Sequence, residues 1–163
     1  IWNLRAVDER EAFGIDHNQV YMGVSIQIGV NATAAGVLVT KDLWDPTDEN
    51  GFTINAKWGL GERVVQGQKS PEQVIFDPTN DGTKIISRSD DPIRLVFDEK
   101  GGTKEIPVDP AAGVILTEDR AKKLCTMVGK FIPVFTHGHP LDVEWVLEGE
   151  DFWIVQTRPY VGS

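Results

Sequence analysis

The last twenty or so residues constrain this chain most. From Asp142 to Leu147 the side chains alternate, with Val143, Trp145 and Leu147 on one side of an extended strand and Asp142, Glu144 and Val146 on the other. A short acidic interruption containing Gly149 separates this stretch from a second run, Phe152 to Arg158, in which Trp153, Val155 and Thr157 alternate with Ile154, Gln156 and Arg158. Two alternating runs joined so closely predict a β-hairpin. If Val143, Trp145 and Leu147 turn to a core together with Trp153 and Val155, then Asp142, Glu144, Gln156 and Arg158 emerge on the opposite face. Directly opposed residues in an antiparallel hairpin have a constant sum of positions, so Glu144 shares a face with Gln156 only across an odd-numbered loop. A loop of about five residues sets Glu144 opposite Gln156 and Asp142 opposite Arg158.

That face gathers two carboxylates, an amide and a guanidinium. Carboxylate and amide oxygens are hard ligands suited to Mg²⁺, which takes one or two protein oxygens and completes its shell with phosphate and water. Arg158 supplies a fork that matches phosphate oxygens. The set suits a metal-bound nucleotide polyphosphate. It equally describes a solvated hairpin face with a surface ion pair, the default for a half-buried sheet.

Two stretches resemble a known family. The first is this C-terminal run, DVEW followed by FWIVQTRP. The second is INAKWGLGERVVQG, Ile54 to Gly67, with Pro71 beyond it. Both are similar to the ATP-binding domain of the phosphoenolpyruvate-utilising dikinases, a group containing phosphoenolpyruvate synthase (pyruvate, water dikinase), pyruvate phosphate dikinase and the rifampicin phosphotransferases. The resemblance covers nearly the whole chain and implies an ATP-grasp-like subdomain of α+β class, mostly antiparallel sheet with a few packed helices. By resemblance Glu144 and Gln156 hold Mg²⁺ and the phosphates of ATP, Arg158 contacts phosphate as the catalytic cation, and Asp142 supports them. Glu62 stands beside the nucleotide at ribose or adenine, and Gln27 lines the adenine pocket. For Glu62 the plain alternative is an acid favoured at a helix start. Arg63 stands where pyruvate phosphate dikinases carry an acid, which favours the synthase and rifampicin side of the family.

At 163 residues the chain is read as one domain, 1–163, and 40% hydrophobic with 25% charged residues excludes a disordered chain. A net charge of −9 argues against a nucleic-acid surface. An anionic ligand such as ATP must then be met by local donors and metal. The sequence has no apolar run long enough for a membrane helix and no charged-then-apolar leader, and its one cysteine, Cys125, excludes an internal disulfide. A cytoplasmic setting is expected.

In chain order, residues 2–13 show helical spacing ended by Gly14, and Ile1 looks like the middle of a helix, as in an excised piece. Val20 to Val30 alternates as a strand with Val20, Met22, Val24, Ile26, Ile28 and Val30 on one face. The small residues Asn31 to Gly36 suit a loop whose N–H groups meet phosphate, or an ordinary connection. A strand ending near Trp58 turns through Gly59 and Gly61 into a short helix whose N-terminus can face an anion. Pro71 to Pro110 reads as short strands and turns, with Lys84, Arg88 and Arg94 as solvated residues. Thr117 caps a helix whose stripe is Ala121, Leu124, Cys125, Val128 and Ile132, making Cys125 core; Pro133 stops or kinks it. His17 is a turn residue, and His137 with His139 is a loop pair lacking a third metal ligand.

In the family, three parts outside this chain complete the reaction: a preceding half-domain whose lysine and arginine hold phosphates, a swivelling domain with the phosphorylated histidine, and a barrel that binds pyruvate. The resemblance therefore implies phosphoryl transfer from ATP through a carrier histidine to pyruvate, giving phosphoenolpyruvate, with the isolated piece inactive. The alternatives are the ATP domain of a rifampicin phosphotransferase-like antibiotic kinase, and a non-catalytic nucleotide-binding or interaction module.

Overall fold

The computed structural model describes residues 3–45, 47–48, 50–65, 69–135 and 139–161. It is α+β. Helix α1 (Leu4–Ala12) begins at an N-cap, Asn3, whose side chain accepts from the Ala6 N–H; Ile1, expected within a helix, lies outside the described residues. Gly14 ends it at φ +64°, a left-handed conformation that suits glycine. A single 3₁₀ turn follows at His17–Gln19, where His17 Nδ1 accepts from Arg10 Nε at 2.9 Å.

The strands are β1 (Ala34–Val39), β2 (Phe52–Trp58), β3 (Glu72–Asp77), β4 (Gly82–Ser87), β5 (Ile93–Phe97), β6 (Thr103–Pro107), β7 (Leu141–Glu148) and β8 (Asp151–Pro159). Six form one antiparallel sheet in the order β4-β3-β2-β1-β7-β8, while β5 and β6 form a separate ribbon. Helix α2 (Glu62–Val65) lies between β2 and β3, and α3 (Glu118–Gly129) and α4 (Ile132–Phe135) precede β7. Burial alternates most cleanly along β7. Ala34, Leu38, Ile54, Ala56, Val74, Phe76, Val143, Trp145 and Leu147 turn to one face, where Ala121, Leu124, Cys125 and Val128 of α3 cover them. Thr117 caps α3 as its sequence predicts, by accepting from the Arg120 N–H. Burial pushes the Cys125 thiol far above its ordinary value, in keeping with a core residue.

Three sequence expectations change. Val20 to Val30 forms no strand: its apolar side chains find no ladder or core among the described residues, and Ile26 and Ile28 are each 94% exposed. Alternation alone does not make a strand of a segment that pairs with no other strand. Ala34 to Gly36, expected in a phosphate-facing loop, instead pair with β2 and β7 as the start of β1, so their backbone groups belong to the ladder. The third concerns Pro133. Helix α3 ends at Gly129, before the proline, and Pro133 falls in the first turn of α4, where a missing N–H costs nothing. His137 lies outside the described residues.

Gly36 is small for a packing reason. A Cβ there would stand 1.9 Å from the Asn55 carbonyl oxygen and 2.5 Å from Trp145 Cζ2. Gly36→Ala is therefore expected to destabilise the protein by about 2–3 kcal/mol through overpacking, read as a lower urea midpoint at unchanged slope; an unchanged midpoint would contradict the packing described here.

Candidate functional site

The hairpin pairs differently from the simplest reading of its sequence, yet reaches the same juxtaposition. Glu148 pairs with Asp151, so the turn is only Gly149 and Glu150, with Gly149 at φ +61°. Through Trp145↔Ile154 the register follows that tight turn; it then shifts by one, leaving Val155 as an extra residue in β8. Beyond the bulge, Glu144 opposes Gln156 and Asp142 opposes Arg158. The bulge does what an odd-numbered loop was expected to do. Its other consequence is a correction: Phe152 and Ile154, not Trp153 and Val155, pack against the core, and Trp153 is 50% exposed.

On the face away from α3, one row of opposed residues runs across five strands: Gln73, Asn55, Val37, Glu144 and Gln156. Gln73 Nε2 donates to Asn55 Oδ1 at 2.8 Å, and the Trp44 indole N–H donates to Gln73 Oε1 at 3.0 Å. At the other end the Gln156 amide approaches Glu144 at 3.5 Å. In the next row Arg158 makes a fork to Asp142 Oδ2, at 2.9 Å from Nε and 2.7 Å from Nη2. That hydrogen bond, with the attraction behind it, raises the guanidinium above its ordinary value, so Arg158 stays charged. Asp142 Oδ1 is buried without a hydrogen-bond partner.

A half-open cavity of about 250 Å³ lies against this face, lined by Gly36, Val37, Gly61, Glu62, Glu144, Trp145, Val146 and Val155. It brings Glu62, from α2, to the same space as Glu144, from β7. Gly59 turns the chain there at φ +82°; a Cβ would meet the Leu95 carbonyl at 2.3 Å, and Leu60 N donates to that carbonyl at 2.8 Å. Helix α2 has four residues, too short for the anion-binding N-terminus expected of it. Gln27 stands in the exposed Val20–Val30 segment and does not line this cavity.

Sequence reading missed the groups beneath α2. Lys57 of β2 is 2% exposed and places Nζ 3.5 Å from Asp91 Oδ2 and 3.3 Å from the Arg63 carbonyl. Arg63 forks onto Asp91 at 3.0–3.1 Å and reaches Glu105 Oε1 at 2.7 Å. Burial alone would raise the Asp91 carboxyl, but the Ile93 N–H, the Arg63 fork and Lys57 together hold it below the ordinary carboxylate range. The register puts Lys57 on the face of Thr53 and Asn55; nothing in the sequence pairs it with a residue in a distant loop. Of the three cations read as solvated, Arg94 is the exception, half-buried with Nε enclosed and without a hydrogen-bond partner; Arg88 is exposed as read, yet it is ion-paired. Its guanidinium lies 3.1 Å from Glu72, a buried carboxylate that also accepts from the Ile115 and Leu116 N–H groups.

Comparison with known proteins settles the family. The pattern described as pyruvate phosphate dikinase, AMP/ATP-binding domain, matches residues 1–162. The chain belongs to that family. Among relatives, a probable phosphoenolpyruvate synthase of Methanocaldococcus jannaschii is 38% identical over 95% of this chain, which spans 13% of that protein. A rifampicin phosphotransferase of a Streptomyces species is 34% identical over 95% of the chain, here 18% of the relative. The phosphoenolpyruvate synthase of Pyrococcus furiosus is 30% identical over 98%, and 20% of its length is spanned. This AMP/ATP-binding family member thus corresponds to a minor part of each relative. Among its described residues, no helix is long and apolar enough to cross a membrane.

Two outcomes test this geometry. Trp153→Ala should change stability by less than about 0.5 kcal/mol, whereas Ile154→Ala should cost about 2 kcal/mol; urea midpoints in the reverse order would remove the bulge. Because the Asp91 carboxyl is lowered on folding, its stabilisation is complete above the unfolded value of about 3.9 and lost as pH falls through the folded one. Urea midpoints measured from pH 6 to pH 3 should therefore drop more steeply for the wild type than for Asp91→Asn; parallel curves would contradict the ionic cluster.

Proposed function

We propose that this chain is the C-terminal part of an ATP-grasp nucleotide-binding domain, a single unit over 1–163, in a phosphoenolpyruvate synthase-like phosphotransferase working in the cytoplasm. The observation that carries the reading is the shared cavity of Glu62 and Glu144, one row from a buried, unpartnered carboxylate oxygen on Asp142. Three carboxylates and one guanidinium leave the site negative. A polyphosphate would be repelled unless a divalent cation accompanied it.

The donor set fits Mg²⁺. Glu144 offers a carboxylate, and Gln156 offers an amide oxygen once its amide rotates about its last bond; Asp142 Oδ1 has an acceptor position to spare. Mg²⁺ takes few protein oxygens and several from phosphate; among the described residues no three His, Cys, Asp or Glu side chains form a metal cluster by themselves. When bound, Mg²⁺ supplies charge neutralisation at the phosphates. Arg158 then presents its outward N–H groups to phosphate oxygens while Asp142 fixes its plane, so charge developing in transfer meets a cation already oriented. Glu62 accepts from ribose or adenine; Gln27, away from this cavity, takes no part in the reading.

The terminal diphosphoryl group of ATP would pass to a carrier histidine on a swivelling domain of the longer protein, releasing AMP; water would then take the outer phosphoryl group as phosphate, and the phosphoryl left on the histidine would pass to pyruvate, giving phosphoenolpyruvate. The piece alone would not turn over. Relatives named rifampicin phosphotransferase at 34% identity support an antibiotic as the second acceptor to test.

Titration of Mg·ATP into the full-length protein should show affinity lowered about a hundredfold, ~2.7 kcal/mol, by Glu144→Ala, and about tenfold by Arg158→Lys, which keeps the charge but loses the fork. Unchanged binding in both variants would return the hairpin face to ordinary surface, as a non-catalytic module predicts. Product analysis with pyruvate and with rifampicin would separate the two acceptors.

A further inference from the structure

The ionic cluster of Lys57, Arg63, Asp91 and Glu105 lies outside the proposed metal–phosphate set, yet it holds the element that carries Glu62. Helix α2 is one turn long and cannot support itself. Its approach is fixed by two backbone hydrogen bonds, Gly59 N to Thr33 O at 2.9 Å and Leu60 N to Leu95 O at 2.8 Å. The turn itself is held by side chains. Lys57 donates to the carbonyl of Arg63, and Arg63 spans from Asp91, in the loop before β5, to Glu105 on β6. Two cations face two carboxylates. Lys57 and Asp91 are almost wholly enclosed, at 2% and 4% exposure of their side chains.

Such a cluster is a poor choice if stability alone were needed. Desolvating charges cancels much of their attraction, and apolar groups of the same volume commonly serve as well. What fixed ionic geometry provides is direction. Arg63 and Glu62 are consecutive on one helical turn, so they point about 100° apart: with Arg63 held toward Asp91, Glu62 is held toward the cavity that it shares with Glu144.

We infer that Asp91, with Lys57 and Arg63, is a positioning unit that aims Glu62 at the bound nucleotide. This rests on the nucleotide reading of the cavity. The cluster touches no substrate; it sets the direction of a residue that does.

A double-mutant cycle in the full-length protein tests it, with Mg·ATP affinity as the readout. Glu62→Gln and Asp91→Asn are each expected to weaken binding about tenfold. In the Glu62→Gln background, Asp91→Asn should weaken it less than twofold further, because there is no longer a carboxylate to aim. A purely structural role would make the two losses multiply, and that outcome overturns the inference. Should Asp91→Asn fail to fold, Arg63→Lys replaces it in the same cycle, keeping the charge while losing the fork. If Glu62→Gln binds like the wild type while Glu144→Ala does not, the positioning role is wrong and the site reading stands. If neither substitution alters binding, both fall together.

Discussion

Trp145 against Gly36 is the contact from which the arrangement of the site follows. The indole occupies the space a side chain at position 36 would need, and its ring meets Phe152 edge-on with centroids 5.5 Å apart. A large aromatic group with one place to go fixes the register of β7 on β1. In a strand, fixing one residue fixes its neighbours: with Trp145 inward, Glu144 and Val146 must point outward, and a slip of one position would exchange them. Glu144, one of the two acids of the cavity, is therefore held by the burial of the residue beside it. The indole N–H is buried without a partner, a cost of roughly 1–3 kcal/mol that the surrounding apolar packing has to offset.

The two ends of the outer face are built by different physics. At the β7–β8 end the side chains are half-exposed, and geometry comes from backbone pairing and a bulge that turns Gln156 and Arg158 outward. At the β2–α2 end they are buried, and geometry comes from charge: one aspartate between a lysine and an arginine. Backbone pairing tolerates substitution of side chains. The ionic end does not, because removing any one partner leaves another buried and uncompensated.

How much of this was legible in the sequence follows the range of the interactions. The inward face of β7, the cap on α3, the turn at Gly59 and the strands from Glu72 to Pro107 depend on neighbours a few residues away, and they read correctly. The bulge did not. Parity required one extra residue between Trp145 and Gln156, but whether it sat in the loop or in the strand depends on the fit of Ile154 to the core, which no local pattern contains. Asp91 and Lys57 lie 34 positions apart, and each alone looks like ordinary surface charge. Alternation over Val20 to Val30 misled for the opposite reason: it was locally convincing, and a strand also requires a partner.

That same segment has a consequence for the chain as a colloid. Met22, Val24, Ile26 and Ile28 stand in solvent on a stretch with high β-propensity and no charge from Val20 to Val30, the composition from which cross-β stacking starts. At neutral pH the charge of −9 on each molecule opposes such association. Near the isoelectric point, at about pH 4.7, that repulsion vanishes while the exposed isoleucines remain. Mild acid would then favour association of copies of the isolated chain through this stretch.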